Sequence, residues 1–423
     1  MAIVKDLNRQ LELIKRGAVE IISEGELRSK IERSIKTNRP LVIKAGFVPT
    51  APDIHLGHTV LLRKLSHFQE LGHKIIFLVG DFTATIGDPS GQSRTRETLT
   101  FEEVNKNVKT YIDQVAKILD VHDKKLFEVR YNSHWFGRGI TTTGAGFMDL
   151  TEFLTSIAKK YTVARLIERD DFAKRLKENK PITVLELLYP LMQGYDSVQL
   201  KADIEIGGTD QKFNMLVGRD LQQSYGLTSQ VVITMPLLEG TDGVKKMSKS
   251  YDNYIGINET AQNMFGKIMS ISDGMMMRYY ELLTDIDLST IKGAHPMEAK
   301  KRLALEIARQ YHGEKKAKKA SADFEQKFQK RDAFSGMKAI ELKSHSKELF
   351  LVDILALPGK LEDFENLKDI DRLESRSKFR KLIIQGAITV NEEKVKDYKF
   401  ALKKNKEYRI KAGKMRFYKI IIR

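Results

Sequence analysis

Two short clusters of side chains in this 423-residue chain have the types and spacing that phosphate chemistry needs. Lys246-Met247-Ser248-Lys249-Ser250 sets two ammonium groups three residues apart, with small or flexible residues between them. It follows Gly240-Thr241-Asp242-Gly243, a turn-rich stretch that places it on a loop. Two such cations can wrap a pyrophosphate. Attack at an α-phosphate builds negative charge on the leaving phosphates, and a fixed cation aimed at that charge lowers the barrier by roughly a few kcal/mol. About 190 residues upstream, His55-Leu56-Gly57-His58 follows a strand and a tight turn and opens a helix. A helix N-terminus offers free backbone N–H groups and the positive end of the dipole to a phosphate. Two imidazoles there add donors, and Gly57 leaves room for a nucleotide against the backbone. Read singly, the first cluster is a basic loop and the second a pair of helix-capping histidines.

The elements around these clusters predict an α/β architecture. Leu41-Val42-Ile43 and Ile75-Ile76-Phe77-Leu78-Val79 are apolar runs without alternation, and Val231-Val232-Ile233-Thr234 is a third. Such runs, separated by amphipathic helices, indicate a parallel sheet covered on both faces, doubly wound in the Rossmann manner. Ligands then bind at the carboxyl ends of the strands. The first 40 residues read as helical, with Leu7, Leu11, Ile14 and Val19 on a 3–4 spacing. A helix is expected from His58 to about Leu71, stopped by Gly72. Residues 1–255 are read as the catalytic domain with an insertion near 130–170, residues 256–330 as an α-helical domain and 331–348 as a connector. Residues 349–423 make a small α+β module: a basic helix from Arg376 to Ile384, a turn at Gln385-Gly386, and strands near 388–390, 408–410 and 417–420.

Composition bounds the function class. No apolar run approaches the roughly 18–20 residues of a membrane span. Met1 to Asp6 reads as an ordinary helix start and not as a targeting segment. The chain has no cysteine, which excludes disulfides and thiolate metal sites and fits the cytoplasm. No carboxylate cluster reads as a dedicated metal cage, so no protein-held metal is expected. Net charge is +16, and residues 376–423 hold 16 Lys and Arg against 4 Asp and Glu, a net +12. That concentration of positive charge is the footprint of a polyanion partner, with nucleic acid favoured over a merely solvated surface.

Three further stretches carry a specific resemblance: Gly80-Asp81-Phe82-Thr83-Ala84-Thr85-Ile86-Gly87-Asp88-Pro89-Ser90-Gly91, Tyr189-Pro190-Leu191-Met192-Gln193-Gly194-Tyr195-Asp196 and Glu205-Ile206-Gly207-Gly208-Thr209-Asp210-Gln211. Together with the histidine and lysine clusters, in this order, they make the chain resemble the bacterial tyrosyl-tRNA synthetases, class I enzymes, over essentially its full length. The resemblance implies a tyrosine–tRNA ligase. L-tyrosine and ATP give tyrosyl-adenylate, and the tyrosyl group then passes to the terminal adenosine of tRNA(Tyr).

It assigns catalysis to His55, His58, Lys246 and Lys249. It assigns ATP binding to Gly46, Gly57, Gly207, Gly208, Asp210, Gln211, Met247 and Lys249, and tyrosine binding to Thr83, Asp88, Tyr189, Gln193 and Asp196. Mg2+ is expected to accompany ATP. The 377–391 stretch resembles an S4-type RNA-binding domain, with Lys378, Arg380 and Lys381 toward RNA. The family also implies a homodimer, with the insertion near 130–170 and its Trp135, Phe136 and Phe147 either at the dimer surface or in the core.

The chain departs from the better-known branch of that family at Lys44, where a tyrosine that grips the substrate phenol is usual, and at Val48, where an aspartate is usual. The tryptophan-specific sibling family is one alternative. It shares the fold and both signatures but typically lacks an S4-like tail, and Asp196 favours a phenol. A non-catalytic RNA-binding protein on the same scaffold is the other, and retention of both histidines and both lysines weighs against it.

Overall fold

A computed structural model describes residues 2–48, 53–84, 100–137, 148–328, 337, 339–342, 349–355, 376–413 and 416–423. The chain divides into two compact units, Met1–Ser321 and Ala322–Arg423.

The first unit is built on a six-stranded sheet. Its strands are β1 (Glu20–Ile22), β2 (Val42–Phe47), β3 (Lys74–Val79), β4 (Phe127–Tyr131), β5 (Ile204–Gly208) and β6 (Val231–Met235). Their order is β1-β6-β5-β2-β3-β4. All neighbours run parallel except β1, which pairs antiparallel with β6. The expected strands at 41–43, 75–79 and 231–234 are β2, β3 and β6, and their apolar residues, apart from the half-buried Val42, are buried because helices cover both faces. The strand order reverses between β2 and β5, the switch point at which α/β folds bind ligands.

The first 40 residues differ from a single helical stretch. Asp6 caps a helix over Leu7–Lys15 by accepting from the Arg9 N–H at 3.0 Å. Gly17 then adopts a φ of +66°, which breaks the helix. Val19, predicted on the helical face, instead donates its N–H to Thr234 at 2.8 Å and leads into β1. Sheet pairing with β6 outcompetes helix continuation because the β-branched Ile21 and Ile22 meet an open strand edge. A capping box of Ser23 and Glu26 starts the next helix, Glu24–Thr37.

Three helices follow the sheet in the same unit, Ala261–Ser270, Asp273–Leu283 and Pro296–His312. They are tied to the Leu56–Glu70 helix by polar contacts. Asp285 accepts from Arg63 at 2.7 Å and pairs with His67 at 3.1 Å. The buried Lys64 ammonium donates to the carbonyls of Leu13, Ile14 and Arg16 at 2.7–2.9 Å, capping the end of the first helix. Arg16 in turn donates to the carbonyls of Thr284 and Ile286, each at 2.9 Å. A further helix, Glu314–Phe328, runs over the residue at which the two units divide.

The second unit has a five-stranded sheet, ordered β10 (Glu393–Val395), β9 (Ile388–Val390), β12 (Lys406–Ala412), β13 (Arg416–Ile422) and β7 (Ile340–Leu342). β8 (Leu349–Phe350) pairs with β11 (Ala401–Leu402). The helix Arg376–Ile384 has the bounds its basic pattern predicts. Its Phe379 and Ile383 pack with Ile388, Val390 and Ile410 in one core. Ile340–Leu342, within the stretch read as connector, is a strand parallel to β13, because its apolar residues complete the sheet edge.

The Val184–Leu200 and Lys212–Ser224 helices cross closely at Gly194. A Cβ there would lie 3.1 Å from the Gly218 backbone nitrogen and 3.0 Å from a Leu221 methyl. Gly194→Ala forces these helices apart and costs about 1–3 kcal/mol. Thermal denaturation should show a melting temperature several degrees lower, and an unchanged value would mean that the crossing yields freely.

Candidate active site

A cleft of about 540 Å³ opens at the carboxyl ends of β2, β3 and β5. Its size suits a nucleotide-sized or drug-sized ligand. His55, Gly57 and His58 line it together with Lys246, Met247 and Lys249. Gly208, Asp210 and Gln211 form the floor near β5, Gly46 lies at the end of β2, and Thr83, Tyr189, Gln193 and Asp196 line the far end. Fourteen of the sequence-predicted residues thus meet in one cavity, although they come from segments spread over 200 residues. Gly207 does not line it but packs behind, where a Cβ would meet Gln211 and Met215 within 3 Å. Asp88 lies outside the described residues.

The histidines serve both of the roles their sequence allows. His55 is the N-cap of the Leu56–Glu70 helix, and its Nδ1 accepts from the Gly57 N–H at 3.2 Å. His58 reaches back, its Nδ1 accepting from the His55 N–H at 3.3 Å. The two rings stack with centroids 3.8 Å apart. Because each Nδ1 is an acceptor, each ring carries its proton on Nε2 and can donate from there. Burial, with the Lys249 charge in support, pushes the His55 pKa down to about 4, so its imidazole is neutral at pH 7. It is a hydrogen-bond donor and not a cation.

The lysine loop is positioned by backbone pairing. Met247 donates its N–H to Leu238 at 2.7 Å, and Leu56 donates to Ile255 at 2.9 Å. The loop's turn is held by Asn253, a buried residue that sequence reasoning missed. Its Oδ1 accepts from Ser248 at 2.8 Å, and its Nδ2 donates to Asp242 at 2.9 Å and to the Lys246 carbonyl at 3.2 Å. The Met247 sulfur meets the Gly57 N–H at 3.3 Å, a contact for which a side chain at 57 would leave little space. Lys246 Nζ lies 3.7 Å from Asp210, and Lys249 Nζ lies 3.4 Å from Asp53. Both pairs are partly exposed and individually weak.

The far end is drier. Asp196 is buried and accepts from the Trp135 indole N–H at 2.9 Å. Burial pushes its pKa up to about 7, against the opposing pull of Lys44 and the Trp135 bond. Trp135 and Phe136 pack into a core with Leu191, Met192 and Tyr195, so neither belongs to a surface. Phe147 lies outside the described residues. No sequence signal tied Trp135 to Asp196, since the contact depends on where the loop after β4 returns. Lys44, read as a lost phenol contact, is fully buried beneath the slot and pairs with Glu205 at 2.9 Å.

In the second unit, Arg380 and Lys381 stand exposed on the Arg376–Ile384 helix, while Lys378 lies on the same helix, its side chain outside the described set. On β12 the exposed Arg409 and Lys411 alternate with the buried Tyr408, Ile410 and Ala412.

Comparison with known proteins places this architecture. Residues 36–329 match the family of tRNA synthetases class I (W and Y), and residues 372–407 match the S4 domain. The tyrosine–tRNA ligase of Geobacter sulfurreducens is 50% identical over 420 residues, 97% of this chain and 98% of its own length. That of Carboxydothermus hydrogenoformans is 49% identical over 428 residues, 99% of each. Among solved structures, a truncated mitochondrial tyrosyl-tRNA synthetase from Aspergillus nidulans superposes with a TM-score of 0.60 at 21% identity, over 77% of this chain and 95% of its own. The Archaeoglobus fulgidus tyrosyl-tRNA synthetase, complexed with L-tyrosine, gives 0.57 at 24% identity, over 75% of this chain and 99% of its own. At those identities the superpositions show a common fold.

The Asp196 carboxyl carries a pH signature. With a folded pKa near 7 against an ordinary 3.8, the folded protein keeps a proton that the unfolded chain releases. Stability therefore falls as pH rises through that window. Asp196→Asn removes this dependence. Relative to wild type it should gain stability between pH 5 and pH 8, by on the order of a few kcal/mol. Melts at the two pH values check this, and an equal difference at both would mean that Asp196 titrates normally.

Proposed function

We propose that this chain, which belongs to the class I tRNA synthetase family of tryptophan and tyrosine and carries an S4 domain, is a tyrosine–tRNA ligase. One observation carries the assignment of the site. The histidine and lysine clusters meet in one cleft, with the Met247 sulfur 3.3 Å from the Gly57 N–H, and the buried Asp196 lines the same cleft. Near-full-length relatives at about half identity are tyrosine–tRNA ligases, which supports tyrosine over tryptophan.

The tyrosine ring enters the slot, where Asp196 faces the phenol and Thr83, Tyr189 and Gln193 meet the ammonium, a set to which the resemblance adds Asp88. A slot built to bond a hydroxyl rejects the analogue lacking it, because its buried polar group is then left unpaired. The substrate carboxylate, already ionised, attacks the α-phosphate of ATP. A carboxyl-oxygen-to-phosphorus bond forms, the bond from the α-phosphorus to the bridging oxygen breaks, and pyrophosphate leaves. No general base is needed, so catalysis is positioning and charge stabilisation.

His55 and His58 donate from Nε2 to phosphate oxygens beside the helix N-terminus. Lys246 and Lys249 exchange Asp210 and Asp53 for the leaving phosphates, an exchange made cheap by the weakness of those pairs. Asp210, freed of Lys246, accepts from the ribose with Gly208 and Gln211 beside it, while Gly46, Gly57 and Met247 shape the ATP side. Magnesium travels with the ATP phosphates, as is usual for this ion. The terminal adenosine hydroxyl of tRNA(Tyr) then takes the acyl group and releases AMP.

The S4-like unit grips tRNA by charge and shape through its basic helix and β12 face. We assign the enzyme to the cytoplasm, where translation consumes its product; among the described residues no helix is long and apolar enough to cross a membrane. A homodimer is supported by apolar side chains exposed along the insertion and the helix after it. Leu150 is 74% exposed, Val163 62% and Val184 71%, surface that a partner would cover.

Pyrophosphate exchange tests the reading. Wild type should exchange with tyrosine and not with tryptophan, and the reverse would overturn it. Lys249→Ala should keep its fold by circular dichroism and lose about 10²–10³ in exchange rate. The combined Arg380→Ala and Lys381→Ala variant should leave exchange unchanged. It should raise KM for tRNA and flatten the salt dependence of binding by about one to two phosphate contacts. Unchanged tRNA kinetics would remove those residues from the RNA face.

A further inference from the structure

A buried polar cluster lies beneath the amino-acid slot, and its Lys44, Ser197 and Glu205 touch no substrate in the reading above. Its centre is Lys44, whose side chain is 0% exposed. An ammonium has three donors. They go to the main-chain carbonyl of Gln193 at 2.9 Å, the Ser197 hydroxyl at 2.7 Å and Glu205 Oε1 at 2.9 Å. Lys44 thus joins β2 and β5 to one turn of the Val184–Leu200 helix. That turn, 193–197, carries both Gln193 and Asp196, two of the residues that line the slot. We propose that Lys44 is a positioning residue for amino-acid binding: it pins this turn against the sheet and so sets where Gln193 and Asp196 meet the substrate.

The geometry goes beyond a buried ion pair that merely holds strands together. Two of the three ammonium contacts are to the helix and only one is to the carboxylate. Gln193 is held on every polar atom of its group. Its main-chain oxygen meets Lys44, its Nε2 donates to Glu205 Oε1 at 3.4 Å, and its Oε1 accepts from Asn214 at 2.9 Å. Glu205 is anchored on its other oxygen by Ser197 at 3.1 Å and by Gln230. The groups acting on Asp196 are also in this cluster. Lys44 favours its charged form and Glu205 opposes it, while Trp135 and Asn132 donate to it. The same cation therefore holds one slot residue and, against the larger effect of burial, favours the charged form of another.

The proposal rests on the tyrosine reading of the slot, and tyrosine-dependent pyrophosphate exchange tests both separately. The variants are Lys44→Met, Lys44→Met with Glu205→Gln, and Ser197→Ala. Removing one partner of a buried pair destabilises strongly, whereas replacing both is close to neutral. The double variant should therefore recover most of the melting temperature lost in Lys44→Met. Its KM for tyrosine should stay raised by about tenfold to a hundredfold, the equivalent of one lost charge-assisted contact. KM for ATP should not change.

Ser197→Ala keeps both charges and little volume is lost, so it should fold normally and still raise KM for tyrosine. In Lys44→Met, the pH below which KM for tyrosine climbs should move upward, because Asp196 loses its compensating cation. A purely structural pair would move none of these readouts once stability is restored. A wild-type KM for tyrosine in the double variant, or in Ser197→Ala should the double variant not fold, overturns the proposal. Absence of tyrosine-dependent exchange in wild type is a different result, which overturns the reading of the slot and this proposal with it.

Discussion

A lysine without water around it must find three acceptors, and in this protein they come from a strand and two places on one helix. Lys44 stands on β2, Glu205 on the neighbouring β5, and Gln193 and Ser197 on the helix that covers them. The strands are neighbours only because the sheet order reverses at this point. The close crossing at Gly194 brings the Lys212–Ser224 helix near enough for Asn214 to reach Gln193. Strand order, helix packing and slot geometry are in this way one constraint. Were β5 elsewhere, Lys44 would be an unpaired buried charge, which no domain of this size tolerates cheaply.

The opposite end of the cleft obeys different physics. There the protein must meet several negative charges that arrive with the nucleotide and rearrange during reaction. The start of the Leu56–Glu70 helix supplies backbone dipoles, and the two imidazoles cap it through Nδ1, which leaves the ring proton of each on Nε2. A neutral His55 suits this place. A second permanent cation beside Lys249 would carry both a desolvation cost and a like-charge repulsion. Burial removes that charge and leaves the donor.

Much of this was legible in the sequence, and what was not has a common cause. β2, β3 and β6 show as unbroken apolar runs because both of their faces are covered. β4, Phe127-Glu128-Val129-Arg130-Tyr131, alternates as an edge strand does, and β5 carries the charged Glu205 as its second residue and ends in two glycines, so neither stands out. The histidine and lysine clusters could be read because each is contiguous and does its chemistry with its own side chains. Trp135 beside Asp196, Lys44 beside Glu205 and Asn253 under the lysine loop could not. Each acquires meaning only from a partner brought near by folding, and a buried Lys or Asn looks in sequence like any polar surface residue. Asp196 was identified as a phenol acceptor, but its raised pKa follows from burial behind Trp135, which the pattern of the helix does not encode.

Three lysines, two lining this cleft and one buried beneath it, show how one residue type serves opposite ends. Lys44 and Glu205 are 0% and 2% exposed, and breaking such a pair costs about 3–5 kcal/mol. Lys249 and Asp53 are 30% and 55% exposed, and a pair of that kind is worth about 0–1 kcal/mol. Lys246 and Asp210, at 37% and 24%, are closer to the second case. The energy difference decides what each can do. A lysine held by a few kcal/mol stays in place while substrates come and go, so it can define a slot. Lysines held by less than one can leave their carboxylates for a phosphate and return, at a cost far below the barrier they lower. The division lets the amino-acid end remain rigid for selection while the phosphate end rearranges for chemistry, within a single cavity.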